Sequence, residues 1–563
     1  MGVRRAVELA LEAANKQKGP IYTFGPLIHN PQVLDLLMGK GISVLTEIPA
    51  RATGTVIVRA HGVPPESRDA LKQAGFKVID ATCPRVIKVQ SIIKIHARQG
   101  YAVIIIGDEN HPEVVGLLGY AGEAGHVADN LEKLEALPAF EKAIIVAQTT
   151  QNAAFFKEVG KWAATRYSHY KVFETICDST QKRQDEISRL AKSVDAVVVV
   201  GGHASGNTQR LAQIVRQVGK PVQAIETETE LDTDMLLKAR SIALTAGAST
   251  PNWVTNRVYR TLESLSDTGN PGLLTCLFKV QRIMLVTSLY VALGAGCLCY
   301  TCNELLGITN HLPYLLMAVL YVLSMHLLNN LTGRISDRYK DPERAEFHTS
   351  HQKWLTLLAL TAGAAGLFTA YTTGVAPFLI LLIMSVTGLL YNIRLVPPGV
   401  PKCRYRSIRD IPGSKTILIT LAWGVITALL PHLAENGLWP PGIFVVFLWA
   451  IGMVFVRTAF FDILDMQADR IVGRETIPIL MGEKRMMALL KTICCGLVIL
   501  LAGAGTAGWV SSLGFFLTIC PVSLFIVLTA CQRGHMLSSN RLEFLVETHF
   551  ILAGVIALAW AAF

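Results

Sequence analysis

The sequence predicts two fold classes in one chain, an α/β first half and an all-α membrane-spanning second half. In the first half one module, a helix followed by an apolar strand, occurs three times. In the second half apolar stretches recur, each near the ~20 residues that a helix needs to cross a bilayer. The overall composition, 51% hydrophobic and 17% charged residues, averages over these two halves.

The three modules share one order of elements. In the second and third copies a cysteine, Cys83 or Cys177, stands just before a helix, and the strand that follows ends in a glycine. The first copy starts within its helix at Gly2, so the repeat predicts a further cysteine just before residue 1. Alternating helices and strands indicate βαβ units with parallel sheets. We therefore expect three pseudo-repeated βαβ modules around a central site.

Polar residues follow the strand ends in every module. Ligands of parallel sheets bind beyond the carboxyl ends of the strands, so a pseudo-threefold arrangement would direct these side chains into one cavity. They are His29, His61, His111, Glu113, Thr149, Ser205, Asn207 and Ser249. Clustered hydroxyl, amide and imidazole groups beside helix amino termini favour an anion such as a diphosphate.

Cysteines and a single acid indicate the chemistry of this site. Convergent thiolates suit an iron–sulfur cluster or zinc, and the wide separation of Cys83 from Cys177 differs from the short spacing of structural zinc ligands. Glu113 is the only acid among the polar residues at the strand ends. Burial raises the pKa of a carboxyl group, which makes Glu113 the predicted proton source.

Residues 2–265 resemble the 4-hydroxy-3-methylbut-2-enyl diphosphate reductase family (LytB/IspH), which performs the last step of the non-mevalonate isoprenoid pathway. The resemblance implies a reductive dehydroxylation that yields isopentenyl and dimethylallyl diphosphate. It also implies a [4Fe-4S] cluster and a ferredoxin- or flavodoxin-type electron donor. The motifs that carry it are His29-Asn30, Ala60 to Val63, Asp80 to Pro84, His111 to Glu113, Gln148 to Thr150, the segment around Cys177, Ser205 to Asn207, and Thr245 to Pro251.

The same resemblance implies roles for individual residues. Cys83 and Cys177 ligate the cluster, and Glu113 supplies a proton with Thr149 nearby. The implied diphosphate ligands are His29, His61, His111, Thr149, Ser205, Gly206, Asn207 and Ser249. Gly206 departs from the family pattern, since many relatives have serine there. The family's first strand and first cysteine are expected upstream of Met1, and a start codon assigned too late would explain their position.

Nine apolar helices are expected in the second half. A linker at 266–280, rich in turn-forming residues, separates them from the first half, so the predicted domains are 1–265 and 281–563. The helices are expected near 281–303, 312–331, 353–372, 376–393, 415–432, 441–460, 486–507, 509–530 and 545–563.

The distribution of Lys and Arg predicts the orientation in the membrane. These residues occur in the connections after the second, fourth, sixth and eighth helices, and the other four connections have none. By the positive-inside rule, the first half lies in the cytoplasm. We expect a multi-pass protein of the bacterial inner membrane, embedded in the lipid bilayer. The net charge of +10 is explained by topology and phosphate binding, and no nucleic-acid partner is expected.

Acidic residues near the end of the sixth apolar helix predict a second site. Asp462, Asp465 and Asp469 are spaced to lie on one helix face. Mg²⁺ carrying a diphosphate is the usual bridge between such carboxylates. Together with the segment Gly473 to Pro478, this pattern resembles the second aspartate motif of the UbiA family of intramembrane prenyltransferases, over roughly residues 280–563.

The first aspartate motif of that family is only partly matched. Asp337 and Asp341 are in register with it, but Gly333 occupies the asparagine position and Asn330 lies one turn earlier. The resemblance implies a Mg²⁺ and prenyl diphosphate site formed by both motifs.

Three functional interpretations follow. The leading one is an isoprenoid reductase fused to a prenyltransferase. In the second, only the membrane half is active, as a Mg²⁺-dependent prenyltransferase. In the third, the first half is a non-catalytic diphosphate-binding module.

Overall fold

The computed structural model describes residues 2–17, 19–266, 273–332, 341–391, 393, 407–435, 439–533 and 539–563. The chain divides into two compact units, Met1–Asn270 and Pro271–Phe563.

The first unit contains three parallel sheets. The first has the strand order β2-β1-β3-β4, the second β6-β5-β7-β8 and the third β10-β9-β11. The strands are β1 (Ile21–Phe24), β2 (Ile42–Leu45), β3 (Thr55–Val58), β4 (Lys77–Asp80), β5 (Ala102–Ile106), β6 (Gly125–Ala128), β7 (Ala143–Ala147), β8 (Lys171–Val172), β9 (Ala196–Val200), β10 (Val222–Ile225) and β11 (Ile242–Ala246). Three sheets of this kind confirm the predicted α/β fold.

The inner strands form because their sequences are continuous apolar runs. Every residue of β3, β7 and β9 is buried, as expected for parallel strands covered by helices on both faces. The outer strands β2 and β8 are largely exposed. The strands of each sheet run parallel, so their carboxyl ends lie at one edge.

Helices follow or precede the strands throughout this unit. Pro at the first position of α2 to α5 suits a helix start, because proline has no N–H to leave unbonded there. The helices are α1 (Gly2–Lys16), α2 (Pro31–Gly39), α3 (Pro65–Gln73), α4 (Pro84–Arg98), α5 (Pro112–Ala121), α6 (Leu131–Glu135), α7 (Ala153–Arg166), α8 (Asp178–Ser193), α9 (Gly206–Gln217), α10 (Thr233–Leu237) and α11 (Asn252–Ser266). Cys83 and Cys177 stand directly before α4 and α8.

The second unit is all helical. Among the residues that the structure describes, eight helices are long and apolar enough to cross a membrane, and Val375–Leu390 is a shorter apolar helix. The eight are Leu289–Leu306, Leu312–Thr332, Gln352–Thr373, Ser414–Glu435, Pro441–Leu464, Glu483–Thr506, Leu513–Gln532 and Asn540–Ala562. Together these nine helices confirm the expected all-α fold. Shorter helices are Leu273–Val286, Pro342–Ser350, Met466–Val472 and Ile477–Met481.

Apolar side chains lie on both the inside and the outside of this unit. Trp423, Trp449 and Phe550 are fully buried in its core, whereas Trp354 and Ile499 are more than two-thirds exposed. Large exposed apolar side chains over a helical surface are typical of a protein whose surroundings are lipid.

Candidate functional site

Three histidines from two sheets meet in the first unit. His29 follows β1, His61 follows β3, and His111 precedes α5. Their ring centroids are 4.8 Å (His29 to His61), 5.9 Å (His29 to His111) and 5.4 Å (His61 to His111) apart. The polar strand ends of the first and second modules therefore converge, as the repeat predicted.

The tautomer of His111 follows from a backbone contact. Its Nδ1 accepts a hydrogen bond from the N–H of Glu113 at 3.1 Å, so the ring proton of the neutral imidazole resides on Nε2. A Cβ atom placed on Gly206 would lie 3.6 Å from this Nε2. The proton of His111 Nε2 thus points toward the start of α9 in the third module.

Electrostatics keep these imidazoles neutral. Burial, the other two histidines and the guanidinium of Arg59 hold the pKa of His61 well below its usual value. Burial, followed by the effect of His29, lowers the pKa of His111 to about 4. Burial and Arg59 also lower the pKa of His29. At neutral pH the cluster offers neutral donors beside one fixed positive charge.

Arg59 is a site residue that the sequence analysis missed. Its Nε donates to the carbonyl oxygen of Gly62 at 3.2 Å, and Nη1 would lie 3.2 Å from a Cβ on Gly25. Its position could have identified it, because Arg59 directly follows β3 and precedes His61 by two residues. A half-buried guanidinium beside three neutral imidazoles is suited to bind an anion.

Glu113 and Thr149 form a buried pair. The backbone N–H of Thr149 donates to Glu113 Oε1 at 2.7 Å, and its hydroxyl donates to Oε2 at 2.9 Å. Burial raises the pKa of Glu113 to about 7, and it outweighs the two hydrogen bonds, which act in the opposite direction. A carboxyl group with this pKa exchanges a proton readily at neutral pH.

The third module supplies polar side chains at the start of α9. Ser205 immediately precedes α9, and Asn207 lies in its first turn. Both side-chain atoms of Asn207 are buried without a hydrogen-bond partner in the described part of the chain, as is the hydroxyl of Ser249. His29 Nε2 and His61 Nδ1 are in the same condition. Buried polar atoms are normally paired, so this set fits a polar ligand with several acceptor atoms.

The two cysteines are tied to the same site by backbone hydrogen bonds. The N–H of Cys83 donates to Ala60 O at 2.9 Å, next to His61, and the N–H of Cys177 donates to Thr149 O at 3.0 Å. The side chains of Arg85 and Asp178 form an ion pair between the starts of α4 and α8. Gly2, at the start of α1, packs so closely on Cys83 that a Cβ there would collide with Sγ. The three helix starts therefore meet, which fits a group held by thiolates.

The thiol of Cys177 is stabilised as a thiolate. Partial burial raises its pKa, but hydrogen bonds from Ser179 and the N–H of Thr180, together with Arg85, lower the pKa overall. Thiolates at helix starts are the form in which cysteine binds metals. Cys83 and Cys177 both stand at helix starts, and their sulfur atoms are soft ligands of the kind that iron–sulfur clusters take.

The membrane-spanning unit contains a cavity of about 500 Å³. Its walls combine apolar side chains with charged ones, and the charged and amide residues include Asn329, Asn330, Asp341, Lys415, Asp465 and Arg474. Asp341 precedes the helix Pro342–Ser350 and accepts from the N–H of Arg344 at 3.1 Å. The cavity therefore brings together one aspartate from each predicted motif. Asp337 lies outside the described residues.

At the second motif the three aspartates do not lie on one continuous helix, although their spacing predicted one. Helix Pro441–Leu464 ends at Leu464, and Asp465 stands between it and Met466–Val472. Asp462 is buried and accepts hydrogen bonds from the hydroxyl of Thr416 and from Lys415 Nζ, the latter at 3.1 Å. Asp469 is buried at 1% exposure. Of these three aspartates, Asp465 is the one that lines the cavity.

Comparison with known proteins gives two family matches. Residues 1–263 match the model of the LytB protein family, and residues 288–541 match that of the UbiA prenyltransferase family.

Individual relatives match the first half over nearly their whole length. The 4-hydroxy-3-methylbut-2-enyl diphosphate reductase of Aquifex aeolicus is 40% identical over 47% of this chain and 93% of its own length. That of Solidesulfovibrio magneticus is 46% identical over 43% of this chain and 87% of its own. A solved UbiA homolog from Archaeoglobus fulgidus bound to GPP and Mg²⁺ matches with a TM-score of 0.38 and 18% identity, over 49% of this chain and 99% of that chain.

Proposed function

Since the chain belongs to the 4-hydroxy-3-methylbut-2-enyl diphosphate reductase family through its first half and carries a UbiA prenyltransferase-family domain in its second, we propose a bifunctional isoprenoid enzyme. The first half reduces 4-hydroxy-3-methylbut-2-enyl diphosphate to isopentenyl and dimethylallyl diphosphate. The second half transfers a prenyl chain. We assign these activities to residues 1–265 and 281–563; within the predicted linker 266–280, the residues from Leu273 onward belong to helix Leu273–Val286.

The buried pair of Glu113 and Thr149 is the observation that carries the reductase proposal. Glu113 lies two residues after His111 of the histidine cluster. Its pKa of about 7 leaves a large protonated fraction at neutral pH. We assign it the proton that joins the allylic hydroxyl group when the carbon–oxygen bond breaks and water leaves. Thr149 orients the carboxyl group through its two hydrogen bonds. The balanced reaction takes up two electrons and two protons and releases one water molecule.

The diphosphate of the substrate is assigned to the polar groups around the histidines, several of which lack a protein partner in the described structure. His29, His61 and His111 donate to its oxygens as neutral imidazoles, and Arg59 supplies positive charge. The other assigned ligands are Thr149, Ser205, the backbone N–H of Gly206, Asn207 and Ser249. Several weak neutral donors hold a diphosphate and still release the product, which carries the same group.

The cysteines are assigned to an iron–sulfur cluster. Cys83 and Cys177 would hold it, together with a third cysteine that the repeated module predicts at an equivalent position. When bound, a [4Fe-4S] cluster would pass the two electrons of the reduction, one at a time, from the electron donor to the substrate. A ferredoxin- or flavodoxin-type protein is the proposed electron donor.

Anaerobic assay of the purified chain tests the reductase proposal. Two versions should be compared, one with Cys and one with Ala inserted immediately before Met1. We expect the Cys version to bind more iron and sulfide and to convert 4-hydroxy-3-methylbut-2-enyl diphosphate into the two five-carbon diphosphates. If the Cys version binds zinc alone, or reduces no substrate with iron and sulfide bound, the proposal is wrong.

Prenyl transfer in the second half is supported by the cavity that both Asp341 and Asp465 line. We assign Mg²⁺ and the prenyl diphosphate to these two residues, with Asp337 as a further ligand. Lys415 and Arg474, which line the same cavity, provide positive charge for the diphosphate. Asp462 and Asp469 are assigned a supporting role, because both are buried beside this site.

Diphosphate binding tests this second assignment. The full chain in detergent should bind geranylgeranyl diphosphate only with Mg²⁺, and Asp465→Ala should abolish binding. We expect Asp341→Ala or Asp337→Ala to weaken binding without abolishing it. Binding that depends neither on Mg²⁺ nor on Asp465 would remove the prenyltransferase proposal.

The protein is a multi-pass membrane protein. We further propose that its first half faces the cytoplasm of a bacterial cell, because alternate connections between the predicted helices carry Lys and Arg and the other four connections carry none. Protease digestion of intact inverted and right-side-out vesicles tests this orientation. Cleavage of the first half should occur only in inverted vesicles.

A further inference from the structure

The membrane cavity holds a charged pair that the proposed diphosphate site does not use. Arg457 and Glu547, from helices Pro441–Leu464 and Asn540–Ala562, both line the cavity and are 6% and 1% exposed. The guanidinium donates to one carboxylate oxygen of Glu547, Oε1, from Nη2 and from Nε, the latter at 2.8 Å. Its carbon atom Cζ lies 5.6 Å from the ring centroid of Trp423. The position of the pair is therefore fixed.

The other carboxylate oxygen of Glu547, Oε2, is buried and has no hydrogen-bond partner among the described residues. The hydroxyl of Thr458 is in the same condition and lines the same cavity. The hydrocarbon interior of a membrane offers little water to such atoms. A buried acceptor and a buried hydroxyl that both lack partners indicate a ligand that brings a hydrogen-bond donor.

Arg457 lies within helix Pro441–Leu464, whereas Asp465, which is assigned to Mg²⁺, stands at the end of that helix. Arg457 precedes Asp465 by eight residues, which is about 12 Å along a helix axis. One cavity is lined by both residues. Glu547 and Asp465 therefore face one cavity, which can hold a ligand group at Glu547 together with a diphosphate at Asp465.

We propose that Glu547, oriented by Arg457, binds the hydroxyl group of a neutral prenyl acceptor. This assignment rests on prenyl transfer in the second half. The pair is neutral as a unit, so a carboxylate acceptor would face the unpaired oxygen of Glu547 with like charge. An ammonium acceptor would leave a net charge in a medium that disfavours it. A hydroxyl group donates one hydrogen bond to Oε2 and adds no charge.

The same contact completes the transfer chemistry. The hydroxyl oxygen forms a bond to C1 of the prenyl chain, and the bond from C1 to the diphosphate oxygen breaks. The diphosphate leaves with the electron pair of that bond. The hydroxyl proton becomes acidic as the new bond forms, and it passes to Oε2 of Glu547. The products are a prenyl ether and diphosphate, so no oxidant or reductant is consumed.

A panel of acceptors tests the ligand class on the unmodified protein. The full chain in lipid vesicles receives radiolabelled geranylgeranyl diphosphate, Mg²⁺ and one of four probes: 1-naphthol, 1-naphthoate, 1-naphthylmethylamine or 1-decanol. We expect a hydroxyl probe to form labelled ether roughly tenfold or more faster than the carboxylate forms labelled ester or the amine forms a labelled secondary amine. A product from 1-naphthol indicates a phenolic acceptor, and one from 1-decanol an aliphatic alcohol.

The panel and the measurement of geranylgeranyl diphosphate binding together separate failure of this inference from failure of the proposed function. Loss of Mg²⁺-dependent diphosphate binding would contradict prenyl transfer itself. Intact binding with no ether from either hydroxyl probe, or with preference for the carboxylate or amine, would overturn the assignment of Glu547.

Variants test the residue. Glu547→Gln should lower ether formation on the order of 10²-fold and leave geranylgeranyl diphosphate binding intact. Because Glu547→Gln leaves Arg457 unpaired, the double variant Arg457→Gln/Glu547→Gln provides a neutral pair and should show the same loss. Glu304→Gln is the matched control, since Glu304 pairs with His311 at 3.2 Å elsewhere in this unit. Ether formation at the unmodified rate in either Glu547 variant contradicts the assignment.

Discussion

Both halves of the chain leave some buried polar atoms without a partner, but they differ in how charged side chains are paired. Around the histidines of the first half, several buried neutral polar atoms have no protein partner within the described structure, as at His29 Nε2 and Ser249 Oγ. Around the cavity of the second half, charged side chains are paired within the protein, as in Arg457 with Glu547 and Arg344 with Glu543.

The surroundings explain this difference. Outside a membrane, ordered water can enter a polar site and satisfy its donors until a ligand binds. A membrane interior provides no such substitute, so an unpaired charge there is far more costly than an unpaired imidazole. The second half must therefore balance its charges before any ligand enters, whereas the first half can leave its donors for the substrate.

The largest expected effect comes from breaking a pair in the membrane half. Asp462 is fully buried and bound by Thr416 and Lys415, so Asp462→Ala removes two hydrogen bonds and leaves the ammonium of Lys415 unpaired. We expect a loss of about 2–4 kcal/mol in stability, measured by thermal unfolding in detergent. Glu346→Ala, at an exposed position, is the control. An unchanged unfolding temperature would contradict the role of pairing.

A substitution in the first half should affect turnover and spare stability. Glu113→Gln keeps the hydrogen bond from the N–H of Thr149 but removes the titrating proton. We expect reductase turnover to fall on the order of 10²-fold or more, with binding of inorganic pyrophosphate unchanged. Glu109→Gln, on the exposed loop before His111, serves as control. Near-normal turnover in Glu113→Gln would exclude it as the proton donor.

The pH profile gives a second measurement on Glu113. Burial raises its pKa to about 7, so the protonated acid is present below that pH and is lost as the pH rises through it. We expect the reductase rate to fall above about pH 7 and the fall to be absent in Glu113→Gln. A rate that rises through pH 7 would contradict a general-acid role.

A smaller effect is expected from the charge beside the histidines. Arg59→Gln should weaken binding of inorganic pyrophosphate by roughly tenfold, since it removes one charge-assisted contact. Isothermal titration at constant ionic strength provides the measurement. Arg51→Gln, an exposed position in the same module, should leave affinity unchanged. Equal affinity in both variants would show that neutral donors alone bind the diphosphate.

The smallest effect should be a gain. A Cβ at Gly206 would lie 3.6 Å from His111 Nε2 and 3.8 Å from Gln148 Nε2, which are ordinary contacts. Gly206→Ser therefore fits and adds a hydroxyl donor, and we expect pyrophosphate to bind about two- to fivefold more tightly, as for one neutral hydrogen bond. Gly206→Ala separates the hydroxyl from the added volume. Weaker binding in both variants would mean that α9 has no room for a side chain.

The sequence determined the modules and most of the polar residues at strand ends. Continuous apolar runs such as Ala196–Val200 must be buried on both faces, and such runs identify inner parallel strands without knowledge of their partners. The short outer strands, such as Lys171–Val172, were not recognised because their residues are exposed and carry no such pattern. Similarly, long apolar stretches identify membrane helices from length alone.

Only the tertiary structure decided which charges pair and which remain for a ligand. The spacing of Asp462, Asp465 and Asp469 predicted that all three lie on one helix face. In the structure, Thr416 and Lys415 donate hydrogen bonds to Asp462. Of the three aspartates, only Asp465 lines the cavity. Arg59 could not be identified from the sequence for the same reason. Its charge matters because it acts on three histidines that follow separate strands, and the sequence does not show that these histidines lie close together. The periodicity of apolar residues indicates which side of a helix or strand is buried. The partner of a buried charge depends instead on packing between elements that are distant in sequence.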